Sequence, residues 1–259
     1  MKVLMVGDIM GRPGRRAVAA LLPGLRRELG VDLTIANGEN AAAGRGLTLQ
    51  TARELFDAGV EVITSGNHIW DQKEIIPSLD EEAPILRPQN YPPGTPGRGI
   101  MTCNGVSVIN LQGRTFMPPL DCPFRTADAL LKKLPERSVV IVDVHGEATS
   151  EKVAMGWYLD GRVSAVLGTH THVATADARV LPRGTAFVCD VGMVGSRDSI
   201  IGDDIDSVLS RFLSQLPHRL HVAENSRVLQ FNAVLIDIDE ATGLARSIVR
   251  VDREMERRE

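Results

Sequence analysis

Five short, Gly-containing segments hold the side chains best able to bind metal or move protons: Gly7-Asp8-Ile9-Met10-Gly11, Asn37-Gly38-Glu39-Asn40, Ser65-Gly66-Asn67-His68, Val144-His145-Gly146-Glu147 and Gly168-Thr169-His170-Thr171-His172. Asp8, Glu39, Asn40, Asn67, His68, His145, His170 and His172 offer carboxylate, amide and imidazole donors, without any thiolate. That mixture is the ligand chemistry of a catalytic zinc, manganese or iron centre. Imidazole argues against an all-oxygen calcium or magnesium site, and the lack of cysteine argues against structural zinc. The donors exceed what one ion needs. Glu39 is therefore the candidate bridge between two ions held about 3.5–4 Å apart, an arrangement suited to in-line displacement at phosphorus. Alternate residues of an extended segment project to one side, so His170 and His172 are expected to enter one pocket, with Gly168 permitting the close approach.

Each residue also has a structural reading when taken singly. Asp8 could be a turn or cap residue, Asn67 and His68 turn formers, and His145 a hydrogen-bonded core histidine. Their recurrence at consecutive strand ends argues for a shared site. His218 and His221 lie in a Pro-containing linker and are left outside it. Arg12, Arg16 and Arg45 lie in or beside these segments and could touch an anion, but a solvated surface role is the favoured reading of their positions. Gly7, Gly11 and Gly14 follow the first strand, yet their spacing fits neither GxGxxG nor the GxxxxGK[ST] loop, and Asp8 in the turn would repel a bare pyrophosphate.

The elements that must position these segments are legible as alternating apolar runs and helical patterns, the signature of an α/β fold. Strands are expected at 3–6, 32–36, 60–64, 138–144, 163–167 and 186–191, with helices at 15–29, 49–58, 151–159 and 205–213. Two further strands, 228–238 and 244–251, are expected to pair antiparallel through a turn at 239–243. In an open α/β sheet the carboxyl ends of parallel strands lie along one edge, where the five segments would converge. Eight of the fourteen prolines fall between Pro84 and Pro123. With a hairpin turn at Asn104-Gly105, the span 84–125 reads as an insertion or cap in a single domain covering 1–259. The charged tail 252–259 reads as a solvated, fraying end.

Composition bounds the function. A formal net charge of −4, with 43% hydrophobic and only 4% aromatic residues, gives a full core but neither the basic stripe nor the stacking platform of a long nucleic-acid groove. Cys103, Cys122 and Cys189 never form a CxxC pair and read as reduced core residues. No run of apolar residues reaches membrane-spanning length, and the expected location is the cytoplasm.

In this order the motifs Gly7–Arg15, Asn37–Ala42, Ser65–Asp71, Val142–Glu147 and Gly168–Val173 resemble those of the calcineurin-like metallophosphoesterase superfamily, specifically its bacterial YmdB-like branch, over nearly the whole chain. The resemblance implies a two-sheet αββα sandwich flanked by helices, with a di-metal site at the carboxyl ends of the strands. The general superfamily pattern has Asp-x-His first, where this chain has Met10. It also has an Asp bridge second, where this chain has Glu39-Asn40. The implied ligand sets are Asp8, Glu39, Asn40 and His172 for one ion, and Glu39, Asn67, His145 and His170 for the other. Asn40 either replaces the missing imidazole or donates to a phosphate. The branch implies iron, with manganese or zinc as substitutes.

The expected activity is hydrolysis of a phosphodiester, such as 2′,3′-cyclic AMP, by water activated at the metal pair, with His68 as proton donor to the leaving oxygen. A metal-dependent nucleotide-binding regulator with little turnover, an RNA nuclease and a nicotinamide oxidoreductase are the rivals. The expected partner is a small phosphorylated nucleotide, with no membrane, and a homo-oligomer is compatible with the sequence.

Overall fold

The computed structural model describes residues 1–81 and 83–256, arranged as helices outside two face-to-face sheets with a smaller third sheet at one side. The first sheet runs in the order β14 (Leu244–Arg250), β13 (Ala233–Asp239), β1 (Lys2–Val6), β3 (Leu33–Asn37), β4 (Val62–Thr64). The second runs β5 (Ile100–Cys103), β6 (Val106–Gln112), β7 (Val139–His145), β8 (Ala165–Thr169), β10 (Ala186–Val188), β9 (Arg179–Val180). The third joins β15 (Arg253–Glu256), β12 (Val228–Phe231), β11 (Met193–Ser196) and β2 (Asp8–Ile9). The helices are α1 (Gly11–Leu29), α2 (Leu49–Asp57), α3 (Ile76–Leu79), α4 (Pro123–Leu131), α5 (Thr149–Leu159) and α6 (Ile205–Ser214).

Strand alternation builds the layers. Val3, Met5, Leu33 and Ile35 point to the inter-sheet core, where they meet Val106, Val108, Ile141 and Leu167. The intervening Leu4, Val6 and Ala36 face outward onto α1 and α2, while Val140, Val142 and Val166 face α4 and α5 on the far side. Both faces are thus covered, so the parallel strands read as continuous apolar runs. The same period of two, carried to the strand ends, points Asn37, Asp143, His145 and Thr169 inward as well. The inter-sheet layer therefore changes from apolar to polar exactly where β3, β7 and β8 finish.

Several boundaries differ from the sequence expectation. α1 begins at Gly11 rather than Arg15, because Pro13 is tolerated in a first turn that lacks intrahelical N–H bonds. The run 228–238 is not one strand. It breaks at Asn232, whose carbonyl accepts from Gly7 N and whose Oδ1 accepts from Met193 N, so β12 and β13 enter different sheets. The antiparallel β13–β14 pair and its turn stand as expected. Residues 253–256 of the expected fraying tail form β15, an edge strand paired with β12. Its charges suit a solvated edge, and ladder hydrogen bonds are invisible to composition. Residues 257–259 lie outside the described residues. Within the Pro-rich span, the hairpin turns at Asn104-Gly105 as expected, but β6 is a buried interior strand parallel to β7, so this part is integral to the second sheet. No helix among the described residues is long and apolar enough to cross a membrane.

Candidate metal centre

The five segments do converge, but from two sheets rather than along one edge. Asp8 follows β1; Glu39 and Asn40 follow β3; Asn67 and His68 follow β4. His145 ends β7, and His170 and His172 follow β8. His145, fully buried, is the hub. Its Nε2 lies 2.9 Å from Glu39 Oε1, 2.9 Å from His170 Nδ1 and 3.2 Å from Asn67 Oδ1. Glu39, His145 and His170 bring donor atoms within 4.8 Å of one another, a grouping able to hold a metal ion. His172 is set apart: its Nε2 is 4.0 Å from Asp8 Oδ1 and its Nδ1 meets the Ile201 carbonyl at 2.7 Å.

Two buried oxygens test whether cations fit. Asp8 Oδ1 and Asn40 Oδ1 are buried and have no hydrogen-bond partner, an arrangement costly for any polar atom and more so for a carboxylate. Asp8 Oδ2 is used, accepting from His170 N at 3.0 Å. Asn40 Nδ2 is also used, donating to the Gly44 carbonyl at 3.0 Å. Because a carbonyl only accepts, that contact sets the amide's orientation and leaves an acceptor, not a donor, beside the cavity. Free acceptor oxygens next to imidazoles and the Glu39 carboxylate fit divalent metal.

Electrostatics agree. Burial would raise Glu39, but the His145 cation and its hydrogen bond outweigh it and bring the carboxyl to about 2. Burial would lower His145, but the Glu39 charge and hydrogen bond, with help from Asp8 and Asp143, raise it to about 9. His170 falls to about 3 through burial and the neighbouring His145 cation. Burial pushes Asp8 well up; His145 opposes this, while Asp190 and Glu39 reinforce it. Without metal, one proton on His145 compensates the surrounding carboxylates.

The loop after β8 corrects the sequence argument. It is not extended: His170 and His172 have φ of 101° and 63°, values that side chains other than glycine rarely adopt. A buried clamp holds it. Asp190 accepts from Thr171 N at 3.0 Å, Thr171 Oγ1 at 2.7 Å and Lys152 Nζ at 2.8 Å, while Gly192 N binds its other oxygen at 2.9 Å. Gly168 is required for close approach, as expected, since a Cβ there would lie 1.8 Å from the Cys189 carbonyl oxygen. Gly66 is equally constrained, because a Cβ would fall 2.1 Å from the His145 ring.

Sequence reasoning missed the residues behind the donors. His145 Nδ1 bonds Thr169 Oγ1 at 2.9 Å, and Thr169 Oγ1 donates to Asp143 Oδ1 at 2.8 Å; Asn37 Nδ2 reaches the other Asp143 oxygen at 3.2 Å. Asp71 lies 2.9 Å from His68 Nδ1, and Glu147 lies 3.1 Å from His170 Nε2. Inward strand parity was the available signal for Asp143 and Thr169. Lys152 and Asp190 carried none, because an interior ion pair between distant elements has no local pattern. His218 and His221 are not part of the Glu39–His145–His170 group. Glu39, His170 and His172 line one cavity of about 290 Å³, together with Met10, Arg45, His68, Ile201 and Leu220.

The profile of a family described as YmdB-like protein matches residues 4–251. The chain belongs to the YmdB-like family. It is 50% identical over 256 residues to the 2′,3′-cyclic-nucleotide 2′-phosphodiesterase of Bacillus subtilis, a match covering 97% of this chain and 96% of that protein. A crystal structure of a hypothetical protein from Thermus thermophilus superposes with a TM-score of 0.92 at 46% identity, covering 98% of this chain and 99% of that one. That of a novel phosphatase from Mycoplasma pneumoniae gives 0.92 at 32% identity, covering 99% and 94%. The two-sheet sandwich implied by the motifs is thus the fold of this YmdB-like chain.

Proposed function

We propose that this YmdB-like chain is a metal-dependent phosphodiesterase that hydrolyses small phosphorylated nucleotides, with 2′,3′-cyclic nucleotides such as 2′,3′-cyclic AMP as substrates. The observation carrying this reading is the pair of buried, unpartnered oxygens of Asp8 and Asn40 flanking the Glu39–His145–His170 group. In this reading Asp8, Glu39, Asn40 and His172 hold one ion, and Glu39, Asn67, His145 and His170 hold the other. Iron is the native metal, with manganese or zinc able to substitute. When bound, such a pair lowers the pKa of a water and neutralises charge on phosphoryl oxygens.

The chain's own groups do the rest. His68 sits beside the cavity with Nδ1 tied to Asp71 and its backbone N–H on Glu39 Oε2 at 3.1 Å, an arrangement that leaves Nε2 to protonate the leaving oxygen. Arg45 offers a cation to the phosphate from the cavity wall. Met10, Ile201 and Leu220 form an apolar side against which a base can lie, and the cavity of about 290 Å³ suits one nucleotide better than a polymer.

The test is to purify the protein without chelator, measure metal per chain by plasma mass spectrometry, and assay 2′,3′-cyclic AMP and bis(p-nitrophenyl) phosphate. About two ions per chain with turnover of both substrates is expected. Full metal occupancy without turnover would instead mark a nucleotide-binding regulator, and preferential cleavage of oligonucleotides a nuclease.

A further inference from the structure

The cavity beside the metal cluster carries a carboxylate for which the reaction has no use. Asp203 helps line it, half-buried, and among the described residues its carboxylate makes no hydrogen bond and no ion pair. The charged groups that act on it are Arg45, His221 and Asp204, none of them in the metal cluster. It therefore stands on the side of the cavity away from Glu39, His145 and His170. A carboxylate only accepts hydrogen bonds, and so do phosphoryl oxygens. Facing the phosphate it would repel; on this wall it suits a part of the ligand that donates.

The backbone fixes Asp203 there. Ile200 N bonds the Asp203 carbonyl at 2.9 Å and Asp203 N bonds the Ile200 carbonyl at 3.0 Å, closing a tight two-residue turn. Both central residues are left-handed, Ile201 at φ 49° and Gly202 at φ 101°. Asn or Gly ordinarily takes the first of these places, and a β-branched residue is a steric outlier in it. The Ile201 carbonyl accepts from His172 Nδ1 at 2.7 Å, while Ile201 itself, 51% exposed, lines the cavity. One turn thus braces a candidate metal ligand and gives the cavity an apolar residue at 201 and an acceptor at 203.

A 2′,3′-cyclic nucleotide has few donors to offer that acceptor, because two of its three ribose hydroxyls are esterified. O5′ and the N–H groups of the base remain. Guanine alone sets two donors side by side, N1–H and the N2 amino group, to match the two oxygens of one carboxylate. Adenine and cytosine place an amino donor beside a ring acceptor, and uracil places N3–H between two carbonyls.

We propose that Asp203 reads the base of the substrate and gives the site a preference for guanosine 2′,3′-cyclic phosphate, with Ile201 and Met10 against the ring. The inference rests on the phosphodiesterase reading above and names the base that its site favours; 2′,3′-cyclic AMP is the poorer substrate. In Asp203→Asn one acceptor becomes a donor, the pattern that pairs with adenine.

The test is kcat/KM of the manganese-loaded protein for the four 2′,3′-cyclic nucleotides, beside bis(p-nitrophenyl) phosphate, which has neither base nor hydroxyl. Guanosine is expected to lead adenosine about 10- to 100-fold. Asp203→Asn should lower the guanosine value and raise the adenosine value until the order inverts, which general damage to the fold cannot produce. Asp203→Ala should abolish the preference without inverting it. Equal values for guanosine and adenosine in the unaltered protein would overturn the proposal. So would an Asp203→Asn variant that scales every substrate by one factor, as expected if Asp203 merely steadies Arg45. A loss equal on all four nucleotides but smaller on bis(p-nitrophenyl) phosphate would place O5′ at the carboxylate and overturn it too. Calorimetric titration of guanosine and adenosine 3′-monophosphates into the same protein separates this inference from the reading beneath it. No turnover of any substrate would sink the phosphodiesterase, yet tighter guanosine binding that Asp203→Asn reverses would uphold the base reading. Equal binding of the two nucleotides, or none, would overturn it.

Discussion

In the proposed mechanism His68 and the residues behind His145 have separate roles, and substitutions should tell them apart. His68 touches Glu39 only through its backbone N–H, so its ring can be removed without taking a donor from the metal group. His68→Ala is expected to retain metal while kcat falls about 10²- to 10⁴-fold, most on substrates with poor leaving groups. Metal loss in parallel with activity would refute the proton-donor role. Glu39→Gln should behave oppositely, losing metal first, because the proposed ligand sets make Glu39 the carboxylate common to both ions. Asp143 acts through Thr169, whose hydroxyl fixes Nδ1 of His145 and so presents Nε2 to the cluster. Thr169→Val is therefore expected to weaken metal binding about 10- to 100-fold, read by competition against a chromophoric chelator. Retention of full affinity would show that the relay is merely packing.

At the scale of elements, the segment joining β8 to β9 is held against its backbone preference. Left-handed φ at His170 and His172 costs on the order of 1–3 kcal/mol each, and the Asp190 clamp with Lys152 of α5 offsets it. Removing one partner of a buried ion pair typically destabilises by about 3–5 kcal/mol, since the other charge stays buried. Asp190→Ala should therefore lower the melting temperature and also release metal, because Thr171 would no longer seat the loop between its two histidines. Replacing both partners together, Lys152→Met with Asp190→Leu, should recover part of the melting temperature but not metal affinity. Recovery of both would show that the clamp acts only on stability. Gly66 allows no such compromise: any side chain meets the His145 ring.

For the molecule as a whole, the centre couples pH, metal and folding. In the metal-free protein His145 stands at about 9 against an ordinary 6.5, so its contribution is fully present below pH 6.5 and is lost as pH rises through about 9. Glu39 stands at about 2 against 4.5, so its contribution is present above pH 4.5 and lost as pH falls through about 2. Calorimetry of the metal-free chain should accordingly show stability declining from pH 6.5 towards 9. Added manganese should raise the melting temperature more at the alkaline end, where it replaces a proton that has already left. A manganese effect independent of pH would mean that metal does not displace the His145 proton.

The motifs, their order and the donor chemistry were all readable from the chain, because each donor directly follows an apolar run that can only be a buried strand, and strand ends of a parallel sheet share a side. Period-two parity would also have found Asp143 and Thr169. What only the tertiary structure decided was which strands share a sheet. It split 228–238 at Asn232, drew β6 into the interior and paired β15 as an edge, since backbone ladders leave no mark on composition. It alone showed that His170 and His172 reach one cavity through left-handed turns rather than an extended segment, in a loop held by an ion pair between residues 152 and 190. Local sequence encodes which face a side chain takes; the meeting of distant charges depends on how the layers close over one another.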